Sequence, residues 1–170
     1  MTHLIQRKPT VRTRIMAEFD RRVSAMSPSN GNVVKWLKVQ RDPLNIQESR
    51  TEALNGNAIS LYDPNENYIY EAGYVLCTLQ IQVDYLYKIK EGQQATTELE
   101  YLRGDLVREL TADQMLTEES TGKKLTQRIH QITSSKDVDN VQDRYAAGFI
   151  ELEVVYRHKK TDPHKLVSEA

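Results

Sequence analysis

The chain has 170 residues, of which 39% are hydrophobic and 28% charged. This length is typical of one domain, and this composition excludes a membrane protein or a wholly disordered chain. The first ten residues lack the apolar core of a secretion signal. The single cysteine, Cys77, cannot form an internal disulfide, so we expect synthesis in a reducing cytoplasm. We expect one domain over residues 1–170, with loose ends at 1–8 and 161–170.

Charge is unevenly distributed, although the net charge is only −1. Residues 1–41 hold nine lysines and arginines against two acids, a net charge of +7. Residues 42–100 hold three bases against ten acids, a net charge of −7. Such unlike regions predict either neutralisation within the fold or contact between copies, basic region to acidic region.

Two stretches have the periodicity of amphipathic helices. Apolar residues recur every three or four positions from Val11 to Met26, and leucines do so from Leu99 to Leu110. We therefore predict helices over 9–26 and 95–113. Arg14, Arg21 and Arg22 lie off the apolar stripe of the first helix, where they are available to a partner or to solvent.

The strongest single signal is the alternation of apolar and polar residues from Tyr74 to Lys90. It predicts one long strand with Leu79, Ile81 and Val83 in the core and Gln80, Gln82 and Asp84 on the less buried face. A strand this long must project, bend or pair with something outside the domain. Shorter strands are predicted over 33–41, 58–62, 125–132 and 146–160, with a turn at 63–65 and a polar loop at 134–143.

This order of elements lacks a β–α–β alternation and therefore favours the α+β class. We expect a mixed or antiparallel sheet with one long strand and two main helices packed on one face.

The residue patterns that could indicate a metal site or catalysis are each incomplete or shared with ordinary protein surfaces. Asp137, Asp139, Asn140 and Asp143 resemble the start of a calcium loop, but the central glycine and the distal glutamate are missing at the required offsets. His130, His158 and His164 lack the rigid spacing of a zinc site. Glu151 and Glu153 precede four basic residues, a pattern shared by small metal-dependent nucleases and by exposed charged strands. We expect no enzyme, no metal and no cofactor.

Nucleic-acid binding is also weakly supported. Six lysines and arginines lie between Arg7 and Arg22, but the one aromatic residue among them, Phe19, belongs to the apolar stripe. The segment therefore lacks the aromatic platform on which bases stack.

The pattern resembles the tail terminator, or tail completion, proteins of long-tailed bacteriophages. The matching segments are VRTRIMAEFDRRV, YVLCTLQIQVDYLYKI, TTELEYLRGDLVRELTADQML and the stretch from Leu125 to His158, which closes with GFIELEVVY. The resemblance implies a virion protein, a hexameric ring that ends growth of the tail tube and docks to the head connector. Its partners would be copies of itself, the tail-tube protein and the head-completion or connector protein, with DNA passing through the lumen and no membrane.

A ring joins two different surfaces of neighbouring subunits, which the oppositely charged regions could supply. The long strand could also extend a neighbour's sheet by edge pairing. We expect the subunit and partner interface to include Arg14, Arg21, Arg22, Glu98, Glu100, Asp105, Lys136, Asp137, Asp139 and Asp143. A neck connector, a tail-tube subunit and a small metal-dependent nuclease remain the alternative functions.

Overall fold

The computed structural model describes residues 8–44, 57–137 and 145–169. These residues form two α-helices and a six-stranded mixed sheet, which confirms the predicted α+β class. No helix in these ranges is long and apolar enough to cross a membrane. The elements are α1 (Val11–Ser24), β1 (Trp36–Gln40), β2 (Asn57–Tyr70), β3 (Tyr74–Lys88), α2 (Ala95–Thr111), β4 (Arg128–Asp137), β5 (Tyr145–Lys159) and β6 (Asp162–Leu166).

The sheet has the strand order β1-β2-β3-β5-β4, and β6 pairs with the end of β5. The β1–β2 pair is parallel and all the other pairs are antiparallel. Of the 14 residues of β2, the short strand β1 covers only Asn57–Ser60. The outer edge of β2 beyond Ser60 is therefore paired with no other described strand.

The predicted long strand is β3, and its burial alternates as its sequence indicates. Leu79, Ile81 and Val83 are fully or almost fully buried, whereas Gln80 and Gln82 are half-buried. We call the face that carries the buried set the core face. β2 and β5 are almost as long as β3, with 14 and 15 residues, and they pair with it on either side. The length of β3 is thus accommodated inside the domain.

The predicted turn at Asp63–Asn65 is wrong. Proline lacks the N–H that a ladder needs, and the register of β2 against β3 does shift between Tyr62 and Asn65. The strand nevertheless continues to Tyr70, because Asn65–Tyr70 pairs with Val75–Gln80 in a hairpin closed at Gly73. Pro64 therefore marks an irregularity inside a strand and does not end it.

β4 was predicted too early in the chain. It spans Arg128–Asp137 and takes in Ser134–Asp137, which the sequence assigned to a polar loop. A register shift between Gln131 and Thr133 breaks the apolar alternation, so the pattern alone could not locate the strand. The remainder of the predicted loop, 138–143, lies outside the described residues.

Part of the segment 161–170, which the sequence predicted to be a loose end, forms a strand. Asp162–Leu166 forms β6, and Leu166 is buried. The Leu166 N–H donates to the Glu169 carboxylate at 2.7 Å, which holds the final turn in place. Of the other predicted loose end, 1–8, only Lys8 is described.

One core joins the helices to the sheet. The Thr10 hydroxyl accepts the Thr13 N–H at 3.1 Å and caps α1, whose residues Val11, Ile15, Phe19 and Val23 are fully buried. The leucine stripe of α2 lies in the same cluster, together with the core face of β3 and of β5.

We expect Ile81→Ala to destabilise the protein by about 2–5 kcal/mol, because it removes a buried branched side chain from the central strand. Gln82→Ala, one residue along on the half-buried face, should change the free energy of unfolding by less than about 1 kcal/mol. Urea denaturation of both variants measures the difference. A neutral Ile81→Ala beside a severe Gln82→Ala would contradict the register of β3.

Gly148 is required by close packing across the β3–β5 pair. It lies opposite Tyr85, and a β-carbon on it would lie 2.5 Å from Cζ of that ring and 2.7 Å from the Ser135 carbonyl oxygen. Tyr85 is buried, so the ring has little room to move away. We expect Gly148→Ala to destabilise the protein by about 1–3 kcal/mol in thermal or urea unfolding.

Gly104→Ala is the matched control. Gly104 lies inside α2, and an added β-carbon there meets no atom within 4 Å. A glycine inside a helix can mark a close backbone approach, but the structure shows none at Gly104. Alanine should stabilise the helix by about 0.5–1 kcal/mol. If the two alanine variants changed stability equally, the close approach at Gly148 would be wrong.

Candidate assembly surface

The arginines of α1 are bound within the chain. Arg14 donates to the Glu118 carboxylate at 2.8 and 2.9 Å and to that of Glu169 at 3.1 and 3.2 Å, and its side chain is only 11% exposed. Two carboxylates from distant parts of the chain thus hold one guanidinium. The segment 116–125 folds back on itself through backbone hydrogen bonds between Leu125 and Leu116 and between Glu118 and Lys123. Arg14 ties the first helix to this segment and to the final turn.

Arg21 and Arg22 make similar contacts. Arg21 contacts Glu18 at 2.6 Å and Glu119 at 3.0 Å, and Arg22 contacts Asp113 at 3.0 Å. Glu18 is itself buried, so it depends on these cations for compensation. These three arginines are therefore neutralised inside the fold, but by carboxylates that lie outside the acidic region 42–100 from which the charge pattern predicted neutralisation.

The three predicted acceptors on α2 differ in their environments. Asp105 is buried and accepts the Val33 N–H at 2.6 Å, so it holds the chain before β1 and is not the exposed acceptor that the sequence suggested. Glu100 contacts Arg103 at 3.0 Å, and Glu98 accepts the Tyr87 hydroxyl at 3.5 Å. An intersubunit role for Glu98 and Glu100 stays a prediction.

The other predicted site residues lie at the end of β4 or beyond it. Lys136 and Asp137 are the last two residues of that strand, and Asp139 and Asp143 lie outside the described residues. Among the residues that the structure describes, no three metal-ligating side chains are grouped for a metal ion. Of the predicted nuclease residues, Glu153 contacts Arg128 at 3.4 Å and His130 at 3.3 Å.

The outer half of β2 has an edge that no other described strand covers, and we call it the uncovered edge. The Glu71 N–H donates to the Tyr74 carbonyl, so these two residues form a hydrogen-bonded pair at the end of the hairpin. Because antiparallel pairs alternate, the backbone N–H and C=O groups of Glu66, Tyr68 and Tyr70 point away from β3. Tyr68 and Tyr70, two residues apart on the same face of the strand, are 50% and 68% exposed.

A buried carboxylate fixes the side chains at this edge. Glu66, 4% exposed, accepts hydrogen bonds from Arg12 at 3.1 Å, from the Tyr68 hydroxyl at 2.5 Å and from the Tyr156 hydroxyl. The hydrogen bond to Glu66 raises the pKa of Tyr68 to about 12, and burial together with the same carboxylate raises the pKa of Tyr156. This network links the uncovered edge to α1 and β5 and preorganises it.

The opposite end of the sheet, β4, is partly protected. The Gln114 side-chain oxygen accepts the Ile129 N–H at 3.1 Å, which closes the first part of this edge. After the register shift, Ile132 is 47% exposed and Arg103 donates to the Ser134 hydroxyl at 3.4 Å. The part of the β4 edge that no described strand or side chain closes is therefore its second half, 132–137.

A surface groove of about 810 Å³ lies beside the start of α1. Lys8, Lys123, His164 and Lys165 line it, but so do the carboxylates of Glu118 and Glu169. Lys123 and Arg14 already contact Glu169, at 2.7 and 3.1 Å. Much of the positive charge here serves the fold, so the groove is not a clear anion site.

In comparisons with known proteins, no protein-family model and no curated protein matches the chain.

The Arg14 network should make stability depend on pH. Burial acts to raise the pKa of Glu169, but hydrogen bonds from Lys123 and the Leu166 N–H, with the charge of Arg14, outweigh it and lower the pKa to about 2 from the usual 4.5. Ionised Glu169 therefore stabilises the fold above pH 4.5, and this contribution is lost as the pH falls toward 2.

We expect Glu169→Gln to be less stable than the wild type by about 1–3 kcal/mol at pH 7. This difference in the free energy of unfolding should become smaller between pH 4.5 and 2. Urea unfolding at pH 7, 4.5 and 2.5 measures it. Glu119→Gln is the control, because that side chain is 66% exposed and should matter little at any pH. If the stability difference between Glu169→Gln and the wild type stayed constant with pH, the stabilising role of ionised Glu169 would be contradicted.

Proposed function

We propose that this protein is a ring-forming structural subunit of a bacteriophage tail, which closes the head-proximal end of the tail tube and docks to the head connector. The observation that carries the proposal is that the described sheet ends in two unlike edges, the outer half of β2 and the second half of β4. A cyclic assembly requires two different surfaces that meet on neighbouring copies. The resemblance of the sequence to tail terminators supplies the biological setting.

The chemistry of the surface favours strand edges over charged helix faces as the contact. Arg14 and Arg22 have side chains only 11% and 15% exposed, and both contact carboxylates of their own chain. Recruiting them to a neighbour would break pairs that already compensate buried charge, at a cost in stability. Uncovered backbone groups at a strand edge are instead satisfied by water or by another strand.

The proposal predicts that the purified protein forms a discrete closed oligomer, six subunits by the resemblance, in analytical ultracentrifugation and native mass spectrometry. Added to polymerising tail-tube protein, it should limit tube length and appear at one tube end in electron micrographs. Because strand pairing depends little on charge, the oligomer should persist in 1 M salt, where the Debye length is ~3 Å.

Three outcomes would count against this function. A strict monomer at high concentration, with and without tube protein, would exclude the ring. Incorporation along the whole tube, instead of at one end, would identify a tail-tube subunit. Magnesium-dependent DNA cleavage that is lost in Glu153→Ala would identify the nuclease.

A further inference from the structure

We infer that the ring is built by antiparallel pairing of β2 of one copy with β4 of the next copy, with Tyr68 opposite Ser134. The inference rests on the proposed ring and names the contact that would form it. Its occupant is a second copy of this chain, and it uses the two edges that the described strands leave uncovered.

The positions that point outward on β4 follow from its pairing with β5. The Gln127 N–H donates to the Val155 carbonyl, so Val155 points its backbone groups toward β4, and by alternation Glu153 and Glu151 do so too. Their partners His130 and Thr133 point back toward β5. Beyond the register shift, Ser134 and Lys136 are therefore the positions whose backbone groups point out of the sheet.

The strand directions suit a ring. Three successive antiparallel pairings lead from β2 through β3 and β5 to β4, so β4 runs antiparallel to β2 within one subunit. When a second copy is placed beside the first in the same orientation, as rotation about a ring axis requires, its β2 lies antiparallel to the first copy's β4. Both edges can then exchange paired hydrogen bonds.

The side chains at the two edges also lie on matching faces. Tyr68 pairs with Cys77 of β3, a core-face residue, and Ser134 pairs with Ile150 of β5, which pairs in turn with Val83. The outward positions of both edges thus carry their side chains on the core face. Joining them continues the sheet without inverting it, because residues directly opposite each other in a pair share a face.

The positions of the two register shifts select the register. With Tyr68 opposite Ser134, the whole second half of β4, 132–137, lies opposite 65–70, the part of β2 that follows its own register shift. A slide by two residues would carry β4 past Tyr70 in one direction and place it opposite Pro64 in the other. β2 contains two acids, Asp63 and Glu66, and no base, whereas β4 contains Arg128 and Lys136 and one acid, Asp137. No like charges face each other in this register.

The competing contact is a two-fold pairing of β2 with β2, centred on Tyr68. This pairing also joins positions whose backbone groups point out of the sheet. However, it uses the β2 edge of both copies and leaves the β4 edge of each copy unpaired. It therefore produces a closed dimer and no ring.

Disulfide trapping separates the two contacts. In the inferred register Ile69 lies opposite Thr133 in a non-hydrogen-bonded pair, where Cα atoms approach within ~4.5 Å and a disulfide can form. Both side chains are exposed, so their substitution leaves the core intact. Burial raises the pKa of the native Cys77 thiol to about 11, which keeps it out of the reaction.

The double variant Ile69→Cys/Thr133→Cys, oxidised mildly as the assembled full chain, should give a ladder of linked species up to the ring size on non-reducing gels. Its matched control, Ile69→Cys/Val167→Cys, pairs the same residue with an exposed position away from β4 and should stay unlinked. Tyr68→Cys alone should also stay unlinked.

Three other results would contradict the inference, and each has a different consequence for the proposed function. An intact ring without the ladder would refute the β2–β4 contact and leave the proposed function standing. Linked dimers from Tyr68→Cys alone would replace the contact with the two-fold pairing. A wild-type chain that stays monomeric would remove the proposed function and this contact together.

Discussion

The pairing of β3 along both of its sides is the constraint on which the rest of the structure depends. β2 and β5 match its length, so the backbone groups of a 15-residue strand are satisfied within one domain. Its alternating pattern then fixes which face of all three strands is buried, because a slip by one residue would expose every core side chain. Ile81 and its neighbours therefore set the register for the whole sheet.

This constraint also produces the uncovered edge. Because β2 pairs with β3 almost to the beginning of β3, it extends to Tyr70, well past the four residues that pair with β1. An edge of this kind is a liability in a monomer, and proteins usually blunt it. Here Pro64 and its register shift interrupt the edge at one place, while Tyr68 and Tyr70 beyond it remain exposed and Glu66 holds the local side chains in position.

Electrostatics has a structural role of a different kind. The basic first helix lies against carboxylates that come from residues 113–119 and from Glu169, so the opposite charges meet across large sequence separations inside one subunit. Such pairs contribute modestly to stability. Removing one partner nevertheless leaves the other charge buried without compensation, which destabilises the fold. The arginines of the first helix are thereby committed to contacts within their own subunit.

The sequence by itself determined the two helices, the long strand and its buried face, because these depend on periodicities of 3.6 and 2 that short segments already contain. It could not extend β2 through Pro64 or β4 through Ser134–Asp137, since both continue only because a neighbouring strand offers a ladder across an irregular register. The partners of Arg14 were equally hidden, because Glu118 and Glu169 are more than 100 residues away. Tertiary structure alone decided which charges are neutralised internally and which backbone edges remain uncovered.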